Sequence, residues 1–365
     1  ASFDEVARNL TARAAQLVGL ADPVLLEEPL AAFYAWLARH ENSWREELKP
    51  GDVVLVCDVG GGTADFTLIA VTEHNGELTL ERVSAGEHIL LGGDNMDLAL
   101  AETLRGQLED QGRELDTWQF RSLVHQSRIA KELILADPTR DMVTIGIAGK
   151  GSSLFSSALS VAVERQLVER LLVDGFFPLV DRSATPLERR TGLREIGLNY
   201  LAAFLSKSAK IVQHQPRFAQ LLSAADETIT PSAVLFNGGV FKSNLLREAV
   251  CSQLRHWSGG TGLRELDGAG DYYAGEFNDG ACALGAAYYA HLMLTNTRLK
   301  VRAGLPRSYF LGIESMGLAV PGVRPRLKAL CVAPRGAEEG SELNVAGQEF
   351  VLTTGEKVTF RLFGT

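Results

Sequence analysis

The run Asp58-Val59-Gly60-Gly61-Gly62-Thr63-Ala64-Asp65 joins two apolar segments through three consecutive glycines. Before it, residues 53–57 are continuously apolar, the pattern of a fully buried strand; after it, Phe66, Leu68 and Ala70 alternate with Thr67 and Ile69, the pattern of a second strand. Glycine lacks a Cβ, so its N–H approaches phosphate oxygens closely and donates to them. In P-loops and dinucleotide folds a helix follows the glycines directly. Here a strand follows, which predicts a β-hairpin with an anion-binding tip. A tight hairpin turn needs only about two residues, so glycines bracketed by Asp and Thr exceed the structural requirement. Asp58, at the end of a hydrophobic strand, is placed to hold Mg²⁺ through its water shell, because that ion keeps its waters and prefers carboxylates.

Two more glycine turns stand at strand-to-helix junctions, Leu91-Gly92-Gly93-Asp94 and Asn237-Gly238-Gly239. Each offers backbone to a nucleotide, and each is equally explained by the needs of the turn itself. Gly280, Ala281, Ala283, Gly285, Ala286 and Ala287 make a smooth face on a helix, suited to close packing. Toward the N-terminus, Ser2 and Glu5 form a capping-box pattern ahead of a helix with apolar face Val6, Leu10, Ala14, Leu17 and Val18. Pro29 opens a second helix, with Glu28 just outside it.

A third strand, 78–83, follows a turn at Asn75-Gly76. From Asp94 to about Arg217 the pattern is mainly helical with one β-like insert, Met142–Ile147; strand returns at 233–236, before a helix from about 243 to 254. After Pro306, residues 309–313, 343–345, 350–352 and 358–362 read as short strands, with hairpin turns at Ala346-Gly347 and Thr354-Gly355. A boundary is expected at 295–305.

The chain has 365 residues, 46% hydrophobic and 22% charged, which is ordinary globular composition for roughly two to three domains or one bilobed unit. A net charge of -9 argues against a broad nucleic-acid face, which needs a basic surface. Cys57, Cys251, Cys282 and Cys331 show no zinc-type spacing and read as reduced thiols of a cytosolic protein. The longest apolar runs are too short to span a bilayer, and no signal peptide is visible. The opening Ala1-Ser2-Phe3, without an initiator Met, suggests a fragment. His214 and His256 have no catalytic partner at recognisable spacing, and Trp36, Trp44, Trp118 and Trp257 read as packing residues.

Taken in order over most of residues 1–290, these segments resemble the nucleotide-binding domain of the heat shock protein 70 (DnaK-like) chaperone family, within the actin and sugar-kinase superfamily. Beyond the glycine hairpin, the resemblance rests on Glu28-Pro29-Leu30-Ala31-Ala32, Leu91 to Asp97, Asn237 to Lys242, Asp279 to Ala287 and Leu311-Gly312-Ile313-Glu314. It implies an α/β, actin-like ATPase (ribonuclease H-like) lobe with a helical subdomain, followed by a small all-β segment. Residues 1–47 would be the remainder of lobe I, 48–92 and 227–294 the core of lobe II, and 93–226 its helical subdomain with an insertion. Residues 305–365 would start a β-domain like the family's peptide-binding domain.

The same resemblance implies ATP or ADP with Mg²⁺ as cofactors. Asp58 would hold the metal's waters with help from Asp65, Thr63 would meet the γ-phosphate, and Glu28 would orient water. Gly60, Gly61 and Gly62 would donate N–H groups, and Gly92, Gly93, Gly238 and Gly239 would line the α-phosphate and ribose. Lys131, Lys242 and Asp279 would complete the nucleotide contacts. Such a site works by positioning and charge stabilisation. The implied partners are unfolded or client polypeptides and co-chaperones, with no nucleic acid and no membrane, in a bacterial cytoplasm.

The sequence also departs from the family. Its first phosphate loop, an Asp-Leu-Gly-Thr-Thr type run, does not occur here, and its catalytic lysine lies in that same missing half. Arg128, Glu132 and Leu135 stand where the family has Glu, Arg and Ser, and Lys242 stands where an Arg packs on adenine; Lys stacks less well than a planar guanidinium. The linker after Tyr289 lacks the family's leucine-rich acidic sequence. Three functions stay open: a chaperone-family ATPase with weak or no activity in this chain alone, a non-hydrolysing nucleotide sensor or scaffold, and a small-molecule kinase of the same superfamily.

Overall fold

The computed structural model describes residues 5–21, 23–149, 159–183, 197–223, 227–260, 262–266, 280–295, 299–302, 304–305, 308–314, 327–334, 337, 343–344 and 361–364. The apolar run after Asp52 becomes strand β1 (Val53–Val59), buried at every residue. The glycine turn leads into β2 (Ala64–His74), antiparallel to β1, with Asp58 opposite Asp65. Asn75 and Gly76, both at positive φ, turn the chain into β3 (Glu77–Ala85), the left-handed pair that a two-residue hairpin demands.

Between β3 and the return to the sheet lie helices α4 (Gly93–Asp110), α5 (Thr117–Ala136), α6 (Arg165–Glu169) and α7 (Gly197–Gln213). Strands β4 (Met142–Ile147) and β5 (Leu159–Glu164) pair with each other in the same region. Then come β6 (Ala233–Asn237), a 3₁₀ turn (Gly239–Lys242), α8 (Asn244–Trp257) and β7 (Arg264–Leu266). The main sheet is completed by β8 (Val301–Arg302), in the order β7-β6-β1-β2-β3-β8. Strands β6 and β7 run parallel to β1, and β8 runs parallel to β3.

Helices cover both faces of this sheet. Val53, Leu55, Cys57 and Val59 point into the core made with α4, α5, α7 and α8. Val54 and Val56 point the other way, toward α2 (Glu28–Arg39), α3 (Trp44–Glu47) and α9 (Ala281–Leu294). The 2.0-residue period of a strand makes this division automatic once both faces are covered. Burial on both sides also overrides the polar alternation of β2, where even Thr67 is only 2% exposed.

Helix α9 crosses α2 at Gly285. A Cβ there would stand 1.7 Å from the Ala31 carbonyl oxygen, so only glycine admits this approach. The smooth face expected of this segment is narrower than the sequence suggested: Ala281 and Gly285 are buried, whereas Ala283, Ala286 and Ala287 are exposed. Helix α1 (Glu5–Leu17) forms where its periodicity placed it, yet Val6, Leu10 and Leu17 on its apolar side are exposed, as is Val18 just beyond it.

Four strands escaped the sequence reading: β5, β7, β8 and β10 (Leu327–Ala333). Strand β5 carries Leu159, Val161 and Val163 at period two, a signal overshadowed by the helical pattern around it. Strand β10 pairs with β9 (Tyr309–Glu314), which also pairs with β11 (Arg361–Gly364) to form a separate three-stranded sheet. Residues 343–344, expected in a strand, have irregular backbone, whereas the strand expected at 350–352, most of that expected at 358–362, both expected hairpin turns, the Ser2 cap and Asp279 lie outside the described residues. The stretch marked as a boundary supplies β8 to the main sheet, where the Val301 N–H donates to Tyr34 Oη at 3.0 Å.

The α2–α9 crossing yields a direct test. Gly285→Ala is expected to cost about 3 kcal/mol, because two backbones must separate to admit one methyl group. Gly106→Ala, in α4 with open space around it, is expected to gain about 0.5 kcal/mol. Urea unfolding of both variants checks the pair, and equal stabilities would contradict the packing described.

Candidate functional site

All three glycine turns converge on the end of β1. The hairpin tip is closed by the Gly60 N–H donating to the Thr63 carbonyl at 2.9 Å, while Gly61 and Gly62 stay exposed. The tip is therefore presented to solvent, not folded onto the core. Behind it, the N-terminus of α4 donates from Gly93 to the Gly60 carbonyl at 3.0 Å and from Asp94 to the Gly61 carbonyl at 2.8 Å. A Cβ on Gly92 would come within 2.5 Å of both tip carbonyls. The Gly92-Gly93 turn thus braces the tip, and two of the N–H groups that begin α4 are already used in doing so.

The third turn lies against β1 itself. Gly238 has φ +87 and a Cβ there would stand 2.2 Å from the Val59 carbonyl oxygen, so both conformation and space require glycine. Asn237, which ends β6, is in register with Asp58, and its side-chain amide favours the ionised form of that carboxylate.

The electrostatics at this end are unusual. Asp58 is 5% exposed, and its Oδ2 has no hydrogen-bond partner. Burial, together with Glu28 and Asp65, pushes its carboxyl up to about 7, against the pull of Asn237. Burial also raises Asp65; His88, whose Nδ1 forms an ion pair with Asp65 Oδ1, and a hydrogen bond from Thr63 offset part of that rise. Glu28, the first residue of α2, is exposed beside them and accepts from Cys282 Sγ at 3.6 Å. Three carboxylates therefore gather at one strand end, with a buried oxygen still lacking a partner. That arrangement fits a cation, because a buried anionic oxygen is costly until something neutralises it. Among the described residues no group of three or more His, Cys, Asp or Glu forms a direct metal cage.

The structure brings Asp58, Asp65, Thr63, Glu28, Gly60 to Gly62, Gly92, Gly93, Gly238 and Gly239 together. Lys131 is turned inward: it is 7% exposed, pairs with Asp97 Oδ1 at 2.6 Å and donates to the Gly93 carbonyl at 3.4 Å. It thereby ties α5 to the start of α4. Arg128 and Glu132 pair with each other on the exposed side of α5, at 3.0 Å. Lys242 ends the 3₁₀ turn with an exposed side chain. Sequence reasoning missed Asn237 as a side chain, His88, Cys282 and Asp97. A polar residue ending a buried strand next to Gly238 was a usable signal for Asn237; His88 sits in a loop and gave none.

Comparison with known proteins finds relatives for this chain. The family model described as "Hsp70 protein" matches residues 1–189. The chain is 27% identical over 337 residues to the chaperone protein HscA homolog of Burkholderia lata, covering 91% of this chain and 43% of that protein. It is 28% identical over 336 residues to the chaperone protein HscA of Shigella boydii serotype 18, covering 91% of this chain and 42% of that protein. A shorter match to the HscA homolog of Acinetobacter baylyi reaches 33% identity over 132 residues, 36% of this chain and 20% of that protein. The chain spans less than half the length of these relatives.

The raised carboxyl of Asp58 has a stability consequence. Its folded value lies above its ordinary one, so its contribution is fully present below about pH 4 and is lost as pH rises through about 7. In metal-free solution, Asp58→Asn is expected to flatten that decline and to be more stable than the parent at pH 8 by roughly 2–4 kcal/mol. Urea unfolding at pH 5 and pH 8 with a chelator present makes the measurement, and an identical pH slope in both proteins contradicts it.

Proposed function

The chain belongs to the Hsp70 family, and from that premise we propose that it is part of an ATP-binding chaperone. Nucleotide phosphates would lie across the Gly60–Gly62 tip, and hydrolysis in the complete protein would be coupled to the capture of client polypeptides. One observation carries this most directly: an exposed glycine tip stands over a buried carboxylate whose Oδ2 has no partner. Asp58 and Asp65 would hold Mg²⁺ through its waters, and when bound the ion would neutralise charge on the β- and γ-phosphate oxygens. Thr63 would meet the terminal phosphate and Glu28 would orient a water. Lys242 would flank the adenosine, with Asp279 at the close of the site. The small sheet of β9, β10 and β11 would begin a polypeptide-binding domain, with client polypeptides and co-chaperones as partners in the cytoplasm. Among the described residues no helix is long and apolar enough to cross a membrane.

The exposed apolar residues of α1, and Leu284 and Met293 on α9, support a further part of this proposal. They are the surfaces on which a first lobe would pack and close the phosphate clamp from the opposite side. A large amphipathic face left in water is otherwise hard to reconcile with a stable helix. The inward turn of Lys131 and the Arg128–Glu132 pair also fit a nucleotide sensor that does not hydrolyse, since both withdraw charge from the nucleoside side. A superfamily kinase for small molecules has no need of the separate three-stranded sheet.

Calorimetry and a phosphate-release assay separate these functions. The chain alone is expected to bind ATP with Mg²⁺ in the range of about 0.1–1 mM and to release phosphate at background rate. Asp58→Ala is expected to weaken that binding about tenfold, close to 1.4 kcal/mol. Brisk turnover by this polypeptide would refute the need for an opposing lobe. Unchanged binding by Asp58→Ala would refute the phosphate site.

A further inference from the structure

Cys282 reads in the sequence as an ordinary thiol, yet it stands between two polar groups of the phosphate end. Its Sγ donates to Glu28 Oε1 at 3.6 Å and accepts from Asn237 Nδ2 at 3.8 Å. Both lengths suit sulfur, whose larger radius extends its hydrogen bonds beyond those of oxygen. Asn237 in turn stands opposite Asp58 in the parallel register of β6 and β1, where its amide favours the ionised carboxylate. The side chains thus run Glu28, Cys282, Asn237, Asp58, from exposed α2 to the buried end of β1.

The helix crossing explains why the thiol falls there. Gly285 lies against Ala31, and Cys282 and Glu28 each precede those contact residues by three positions, about one helical turn. The contact that fixes the crossing therefore also fixes the spacing between thiol and carboxylate. Burial and the nearby Glu28 and Asp58 push the thiol up to about 12, so at neutral pH it keeps its proton and can donate. A residue chosen only to fill space at this half-buried position would be aliphatic, and it would leave the Asn237 amide and the Glu28 carboxylate without this link.

We infer that Cys282 is a positioning residue, whose thiol holds Glu28 and Asn237 and, through Asn237, sets the carboxylate of Asp58. The inference deepens the proposed phosphate site and rests on it for its functional meaning. Sulfur here joins three elements, α2, α9 and β6.

Two measurements on the full chain test it. The first needs no nucleotide: iodoacetamide labelling of Cys282, followed by peptide mass spectrometry in a Cys331→Ser background, where Cys57 and Cys251 are buried. Glu28→Gln is expected to speed labelling at least threefold, because a carboxylate opposing the thiolate is gone. Asn237→Ala is expected to slow it, because the amide that favours the thiolate is gone. Equal rates in all three proteins overturn the inference. The second is the gain in ATP affinity on adding Mg²⁺, measured by calorimetry. Cys282→Ala is expected to lose about tenfold of that gain with an unchanged melting temperature, and Cys282→Ser to stay within about threefold, because exposed Glu28 can swing toward the shorter hydroxyl. A full Mg²⁺ gain in Cys282→Ala overturns the positioning role. If the parent chain shows no Mg²⁺-dependent binding while the labelling pattern holds, the phosphate site fails and the thiol's hold on Glu28 and Asn237 stands.

Discussion

A carboxylate ending a strand that is buried on both faces constrains everything around it. Asp58 is largely withdrawn from water, at 5% exposed and flanked in the sheet by β2 and β6. It cannot be comfortably ionised either, with Asp65 opposite and Glu28 nearby. Burying such a group without a partner costs several kcal/mol. The fold offsets only part of this, through the amide of Asn237. The rest stays as a cost that a positive charge would relieve.

The glycines make that end of the sheet possible. Gly92 lets the start of α4 lie against the tip carbonyls, and Gly238 lets the β6 turn lie against Val59. In each case backbone meets backbone with no room for a methyl group, so the tip is held from behind while its outer face stays open. The same principle operates once more at Gly285, where α9 meets α2. That crossing lies some distance from the tip, yet it decides where Glu28 and Cys282 stand relative to each other. Rigid elements of this kind are what give a site its precision.

Much of this was legible beforehand. The continuous apolar run of residues 53–57 reads as a strand covered twice, and Gly60 to Gly62 followed by alternation reads as a hairpin, not the start of a helix. Asp58, Asp65 and the three glycine turns were all visible in the sequence, although the structure itself requires glycine at Gly92 and Gly238. Lys131 was harder. Its place in the chain marked it for nucleotide contact, but its direction depends on Asp97, a partner on another helix, and no spacing rule links residues on α4 and α5. Strand β10 was missed for a similar reason: its pairing with β9 is a long-range event with weak local signal.

Local chemistry along the chain thus determined the hairpin, its flanking acids, the positions of the helices and the small β-rich end. These depend on periodicity and on glycine's freedom, which neighbouring residues reveal. Tertiary structure alone decided which N–H groups the tip leaves available, which way Lys131 points, and that Cys282 lies between Glu28 and Asn237. Those facts come from three-dimensional approach between segments up to 254 residues apart, and distance in space between such segments is not written in any local pattern.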